Sequence, residues 1–254
     1  MSALDNARVS KASGLVRAAA RNNAEWCHAF SGTYGIDGLF HAGFWSSPVR
    51  TPPLYPDAVT LLPDVSVEHL LSSVDTTGGC SVKDSFACLD LGAAGFEALF
   101  WAEWVGRRPA HGQLAARPGW SAVTTVPQLR AWEECWGVLP SGPGFFRPAL
   151  LQIESVAVLG RWDGGRVVAG AIANRSAAVI GLSNVFDAAG DLVSAWAEAA
   201  HVASTLWGDM PTVGYDAGDS LDAPLKAGFE RIGELVVWHR PAPSTTNEAR
   251  STAP

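Results

Sequence analysis

Glu154 places a carboxylate inside an apolar run, Ala149 to Leu159. On the inward face of a strand, such a group can act as a general base, its pKa raised by loss of water. Strand alternation equally turns it to solvent. Tyr215 and Asp216 close the short apolar segment Thr212-Val213-Gly214-Tyr215. A phenol there can donate a proton and the carboxylate can orient an amine. A buried tyrosine followed by a turn aspartate fits the pattern as well. Ser183 and Asn184 are polar residues inside Ile180 to Phe186, where they either serve a site or mark a bulge. Trp26-Cys27-His28 holds the only adjacent Cys–His pair. Neighbours on a helix point about 100° apart, so the two cannot act as nucleophile and base on their own. His28 can still line a cleft. Arg50-Thr51-Pro52-Pro53-Leu54-Tyr55-Pro56 is a stiff extended loop carrying a cation and an aromatic ring. Arg50 can pair with a substrate carboxylate or phosphate, and Tyr55 can line the same site. The alternative is a structural strap.

These residues sit in a chain of 254 residues, 48% apolar and 17% charged, long enough for one large domain or two small ones. The net charge of −7 and the absence of a basic patch exclude nucleic acid as an expected partner. Cys27, Cys80, Cys88 and Cys135 form no short-spaced pair, so no metal site is expected. No signal core or membrane-length apolar run occurs, which implies a cytoplasmic protein with free thiols and no membrane partner. Lysine is limited to Lys11, Lys83 and Lys226, a usage typical of GC-rich bacterial coding sequence. The eleven tryptophans are spread along the chain, as core packing requires.

Positioning these residues falls to a chain with five parts. Residues 1–12 are polar and expected to fray, and 241–254 are expected to be disordered. Residues 13–108 form a first block, in which Leu15 to Phe30 reads as an amphipathic helix. Residues 109–118, with His111, read as a linker. Residues 119–240 form the second block. Pro127 opens a helix bearing Leu129, Trp132, Cys135 and Trp136 on one face. Ile153–Leu159, Arg166–Asn174 and Ala178–Phe186 read as an antiparallel meander, with a hairpin at Asp163-Gly164-Gly165. A helix over Leu192–Trp207, a strand at Thr212–Tyr215, a short helix ending at Gly228 and a strand from Phe229 follow. The order predicts an α+β fold with a mixed, mostly antiparallel sheet flanked by helices.

Two motifs in that order carry a family resemblance. Ala223-Pro224-Leu225-Lys226-Ala227-Gly228-Phe229-Glu230 is similar to the GNAT acetyltransferase helix ending "lYeklGFe". Gly164-Gly165-Arg166-Val167-Val168-Ala169-Gly170 is similar to the family's "dg.ivG" turn and strand. The resemblance covers Ala149 to Arg240. It implies acyl transfer from acetyl-CoA or another acyl-CoA to an amine of a small-molecule substrate. It implies that Asn184 holds the thioester oxyanion, that Tyr215 protonates the leaving sulfur and that Glu154 or a water is the base. It also places the cofactor along Leu182, Ser183, Val185, Phe186 and Gly190, with Asp216 toward the substrate; Arg50, Tyr55 and His28 lie outside the resemblance and are substrate-side candidates by their own chemistry. Two departures qualify this. The family's pyrophosphate loop, Q/R-x-x-G-x-G/A, is replaced by Asn184 to Asp191, which has one glycine, no base and two repelling carboxylates, Asp187 and Asp191. The family's helix tyrosine is Pro224 here. Two readings stay open: an acyltransferase gripping only the pantetheine arm, or a GNAT fold used for other small-molecule chemistry or for binding alone.

The signature recurs. Asp84-Ser85-Phe86 through Ala94-Gly95-Phe96-Glu97 resembles Asp219-Ser220-Leu221 through Ala227-Gly228-Phe229-Glu230. Block one thus reads as a degenerate copy of the second half of such a domain. Two arrangements follow: one molecule-wide sheet, or two pseudo-repeated lobes with a cleft between them. Either suits a monomer or a homodimer.

Overall fold

Local signals fix the helix ends in this computed structural model, which describes residues 3–109, 118–138 and 142–242, with side chains from residue 14. Helix α1 runs Ala3–Gly32, so its start precedes the expected Leu15 and takes in most of the segment read as frayed. Helix α2 is Val67–Ser72. Helix α3, Val126–Trp136, begins with a capping box between Thr125 and Gln128 and ends at Gly137 in the left-handed region. Helix α4 is Leu192–Trp207 and α5 is Asp222–Lys226. None of these helices is long and apolar enough to cross a membrane.

The strands are β1 (Leu39–Phe40), β2 (Phe44–Ser46), β3 (Ala58–Thr60), β4 (Cys80–Asp84), β5 (Glu97–Arg107), β6 (Trp120–Ala122), β7 (Val156–Asp163), β8 (Arg166–Arg175), β9 (Ile180–Asp187), β10 (Thr212–Asp216) and β11 (Glu230–Arg240). They form one eleven-stranded sheet in the order β1-β2-β3-β4-β11-β5-β10-β9-β8-β7-β6. The sheet is mixed and mostly antiparallel, as expected, and the single-sheet arrangement is the one observed. Its two parallel pairs are β3·β4 and β9·β10, each bridged by a helical crossover.

The closing strands are exchanged. β5, which follows β4 in the chain, pairs antiparallel with β10. β11, which follows β10, pairs antiparallel with β4. β5 and β11 pair with each other at the centre, where Leu235 faces Ala102. Each half of the sheet is therefore completed by a strand from the other.

Helix α1 lies across this centre. Val16 and Ala19 pack with Ala102, Trp104, Leu235 and Val237. Close approach needs glycine: a Cβ on Gly181 would stand 1.9 Å from Asn22 Oδ1, and one on Gly233 2.8 Å from Val16. Asn22 Nδ2 donates to Asn174 O at 3.0 Å, and Asn174 Nδ2 returns a bond to Asn22 O at 3.0 Å. The pair leaves no buried amide unsatisfied and pins the helix to β8. Apolar clusters fill both faces of the second half: Trp132, Phe145, Phe146 and Ile172 with the α1 aromatics on one side, Trp196, Ala199 and Phe229 on the other. The first half has its own cluster of Phe44, Leu70, Val82, Leu91 and Phe96. Glycines 95 and 228, both at positive φ, precede the buried Phe96 and Phe229 at matching places.

The 109–118 linker lies outside the described residues except at its end prolines, and the tail lies outside them after residue 242.

Candidate functional site

β9 and β10 pair only at Thr212↔Ile180 and Val213↔Gly181. Beyond that fork they diverge. On its other side β9 pairs with β8, and the register slips between Ile172↔Ser183 and Gly170↔Phe186. The slip is a β-bulge at Asn184, whose φ of 53° is a conformation asparagine tolerates better than most residues. Bulge and fork together open a cavity of about 300 Å³.

Each wall comes from a different element. Leu182, Ser183, Asn184 and Val185 line it from β9, and Tyr215 and Asp216 from β10. Lys83 enters from β4, in the other half of the sheet. Asn23, Trp26 and Cys27 contribute from α1, and Leu54, Tyr55 and Pro56 from the Pro-rich loop. That loop is latched by Asp57, which is buried. Asp57 accepts from the Arg50 guanidinium, from Thr51 N at 2.8 Å and from Ser81 N at 2.8 Å. Thr51 Oγ1 donates to Tyr55 O at 2.6 Å. The latch stacks the Tyr55 ring on Phe30, with centroids 3.8 Å apart.

Lys83 is 3% exposed. Its Nζ donates to Asn23 Oδ1 at 3.0 Å and to Tyr215 Oη at 2.9 Å. Among the described residues no carboxylate lies within 4.0 Å of it. Because Tyr215 Oη accepts this bond, the phenol proton remains free to be donated. The Tyr55 hydroxyl is buried without a hydrogen-bond partner of normal geometry, although the Trp26 indole is near enough to offset part of its burial. Ser183 Oγ is likewise unpartnered. Burial pushes the Tyr55 phenol well above its usual range, with Cys27 and Tyr215 adding to the effect. Burial also pushes the Cys27 thiol up to about 11, partly offset by Lys83. The thiol is therefore a packing group and not a nucleophile. Asp216 is raised by burial too, against a partial offset from the Ala217 N–H, which donates to its Oδ1 at 2.9 Å.

Solved structures share this architecture. A GCN5-related N-acetyltransferase from Kribbella flavida superposes with a TM-score of 0.58 at 14% identity, over 89% of this chain and 96% of that one. The fold is that of the GCN5-related N-acetyltransferases. A protein assigned to the GNAT family from Novosphingobium aromaticivorans gives 0.53 at 13% identity, over 89% of this chain and 99% of that one. A conserved protein of unknown function from Staphylococcus epidermidis gives 0.51 at 11% identity, over 78% and 84%. No family model and no curated protein matches the sequence.

Within the GNAT fold, the cavity gathers many of the residues singled out from sequence. Leu182, Ser183, Asn184, Val185, Tyr55, Tyr215 and Asp216 all line it. Three others lie elsewhere, and Phe186 and Gly190 do not reach it either. Glu154 is not on a strand: β7 starts at Val156, and Glu154 sits exposed in the preceding turn, away from the cleft lining. It cannot be the base for this cleft. His28 Nδ1 accepts from Trp45 Nε1 at 3.4 Å and borders a separate, broader depression with Glu25 and Asn174. Arg50 is held by Asp57 and serves the latch. Phe186 points into the core against Trp132, 5.1 Å between centroids. Gly190 occupies an exposed turn at φ 83°. Pro224 is buried within α5.

The sequence reading missed Lys83 and Asn23 as site residues. Lys83 had a signal: it is one of three lysines and lies in a five-residue strand, Cys-Ser-Val-Lys-Asp, that parallels Thr-Val-Gly-Tyr-Asp of β10.

A CoA pyrophosphate would need the amides at the start of α4. Asp187 and Asp191 occupy them. Asp187 Oδ1 accepts Ala189 N at 2.8 Å and Asp191 N at 3.3 Å, while its other oxygen accepts from Arg161 at 2.7 Å. Asp191 caps the helix, accepting Ser194 N at 3.1 Å. Hydrogen bonds from Ser194 hold the Asp191 carboxyl below its usual range, so it stays ionised there. The chain's own carboxylates fill the place of an anion, and the loop does not fit a pyrophosphate.

Proposed function

We propose that this GNAT-fold protein binds a small molecule in the β9/β10 cleft and works without gripping CoA by its pyrophosphate. The α4 N-terminus carries this reading. Three amides that would face a phosphate are bonded to Asp187 and Asp191. A dianionic pyrophosphate would have to displace an ion pair and a helix cap, and would meet two carboxylates. Trp196 adds an obstacle at the fork, where its ring would stand 2.7 Å from a Cβ on Gly214. A tandem of two degenerate GNAT halves accounts for the matched β3-α2-β4-β5 and β9-α4-β10-β11 orders.

A second reading is acyl transfer from a thioester on a pantetheine arm, as on a carrier protein. Its support is the pair of strand edges left unpaired to each other after Gly181 and Val213. There Tyr215 would protonate the leaving sulfur, and Asn184 and its bulged backbone would hold the oxyanion.

Thermal shift separates these readings from ordinary acetyl-CoA chemistry. A ligand at 100 times its Kd stabilises a fold by about 2.7 kcal/mol. Millimolar acetyl-CoA is expected to leave the melting temperature unchanged. A saturable rise would overturn the proposal. Turnover of S-acetyl-N-acetylcysteamine, a pantetheine mimic without phosphate, would select the second reading.

A further inference from the structure

The cleft holds one cation and several hydrogen-bond donors that the protein leaves without acceptors. Lys83 is almost wholly buried, and both its partners, Asn23 Oδ1 and Tyr215 Oη, are neutral. An ammonium has three protons; besides the two bonds the group lies 4.0 Å from the Tyr215 ring centroid, and among the described residues no carboxylate balances its charge. Removing a charge from water without a counter-charge is costly, and buried charges are normally paired. Two residues that line the same cavity carry buried, unpartnered hydroxyls: Tyr55, which is 8% exposed, and Ser183. Stability alone would favour an apolar residue at position 83, since β4 is otherwise a buried strand between β3 and β11. The arrangement makes sense if an acceptor-rich anion completes it.

The charge balance narrows the anion. Asp216 brings a carboxylate to the same cavity. A phosphate would add two negative charges to a site with one cation and one carboxylate. A single carboxylate with an amino group on the same molecule would leave every charge matched. The volume of about 300 Å³ is at the lower end for ligand sites, so it suits a metabolite and not a nucleotide.

We propose that the cleft recognises a small aminocarboxylate, its carboxylate paired with Lys83 and hydrogen-bonded by Tyr55 and Ser183, its ammonium facing Asp216. This deepens the small-molecule reading and depends on it. The halves of the sheet then share the ligand: β4 supplies the cation, while β9 and β10 supply Ser183 and Asp216. Neither half has the complete site.

The test uses the full chain and three matched series of probes: β-alanine, 4-aminobutyrate and 6-aminohexanoate; the corresponding unsubstituted carboxylates; and the corresponding amino amides. Binding is read by tryptophan fluorescence, since Trp26 and Trp196 border the cavity, and by thermal shift. At least one aminocarboxylate should bind saturably. Its amide should bind about tenfold more weakly or worse, because the charge-assisted bonds to Lys83 are lost. Lys83→Met should lose the same factor while melting no lower than the parent, since it removes a buried charge. Tyr55→Phe and Ser183→Ala should each weaken binding by about threefold or more. The proposal is overturned if no probe binds, if amides bind as well as carboxylates, or if Lys83→Met retains full affinity. An acetyl-CoA shift together with carboxylate binding would sink the CoA-independent reading and leave this one standing. Carboxylates binding without regard to the amino group would remove the role of Asp216 and overturn the aminocarboxylate class.

Discussion

Lys83 and Tyr215 are the fourth residues of two five-residue strands, each ending in aspartate, and they meet at 2.9 Å across the middle of the molecule. Tyr215, Asp216, Ser183 and Asn184 could be singled out from sequence because each interrupts or ends an apolar pattern, and Tyr55 because prolines stiffen the loop that carries it. Lys83 could not be given a role, because its partner lies 132 residues away and only the folded sheet brings the two together. Glu154 misled for the opposite reason: its neighbours are apolar, but a turn precedes the strand there. Asp216 yields a pH prediction. Burial raises its folded pKa above the ordinary 3.8, so the folded state holds the proton more tightly than the unfolded one. The stabilisation from protonating this group is complete below the unfolded value and is lost as pH rises through the folded value. Asp216→Asn should therefore raise the melting temperature at neutral pH and flatten its acid dependence, as scanning fluorimetry across acidic and neutral buffers can show. A lower neutral melting temperature in the variant would contradict this. The same substitution should weaken aminocarboxylate binding, a stability gain set against a site loss.

At the scale of elements, caps and latches decide what the cleft can hold. The α4 cap is an ordinary Asp–amide bond, and Asp191→Ala should lower the midpoint of urea unfolding. The latch at Asp57 carries more. It accepts two backbone amides, Thr51 N and Ser81 N, besides Arg50. Asp57→Ala leaves those amides without their acceptor and should cost roughly 2–4 kcal/mol. Limited proteolysis should then cut first within Arg50–Pro56, and an unchanged cleavage pattern would mean the loop is held by its prolines alone. The elements of the second block were legible because hairpin, capping and glycine signals bracket them; α4 runs over the expected Leu192–Trp207. The short strands β1 and β2 were not, since two or three residues carry no periodicity of their own.

At the scale of the molecule, the exchange of β5 and β11 makes two sequence blocks into one sheet. The recurrence of Ala-Gly-Phe-Glu pointed to matched halves, but no local pattern says which neighbour a closing strand chooses. Cutting the chain between residues 109 and 118 should give halves that do not fold alone and recombine when expressed together. Two independently folded fragments by circular dichroism would refute this. The intact chain should likewise unfold in one transition by fluorescence and circular dichroism alike.

That exchange also sets a timetable for synthesis. Asp84 pairs with Val236, and Trp101 with the same residue. A nascent chain that has already made β4 must keep that strand's edge uncovered until β11 emerges. At about 5–20 residues per second the wait is on the order of ten to thirty seconds. Throughout it, Cys80–Asp84 and the apolar stretch Leu99–Trp101 are available to any other open edge. Vulnerability during translation is built into the order in which this sheet is completed.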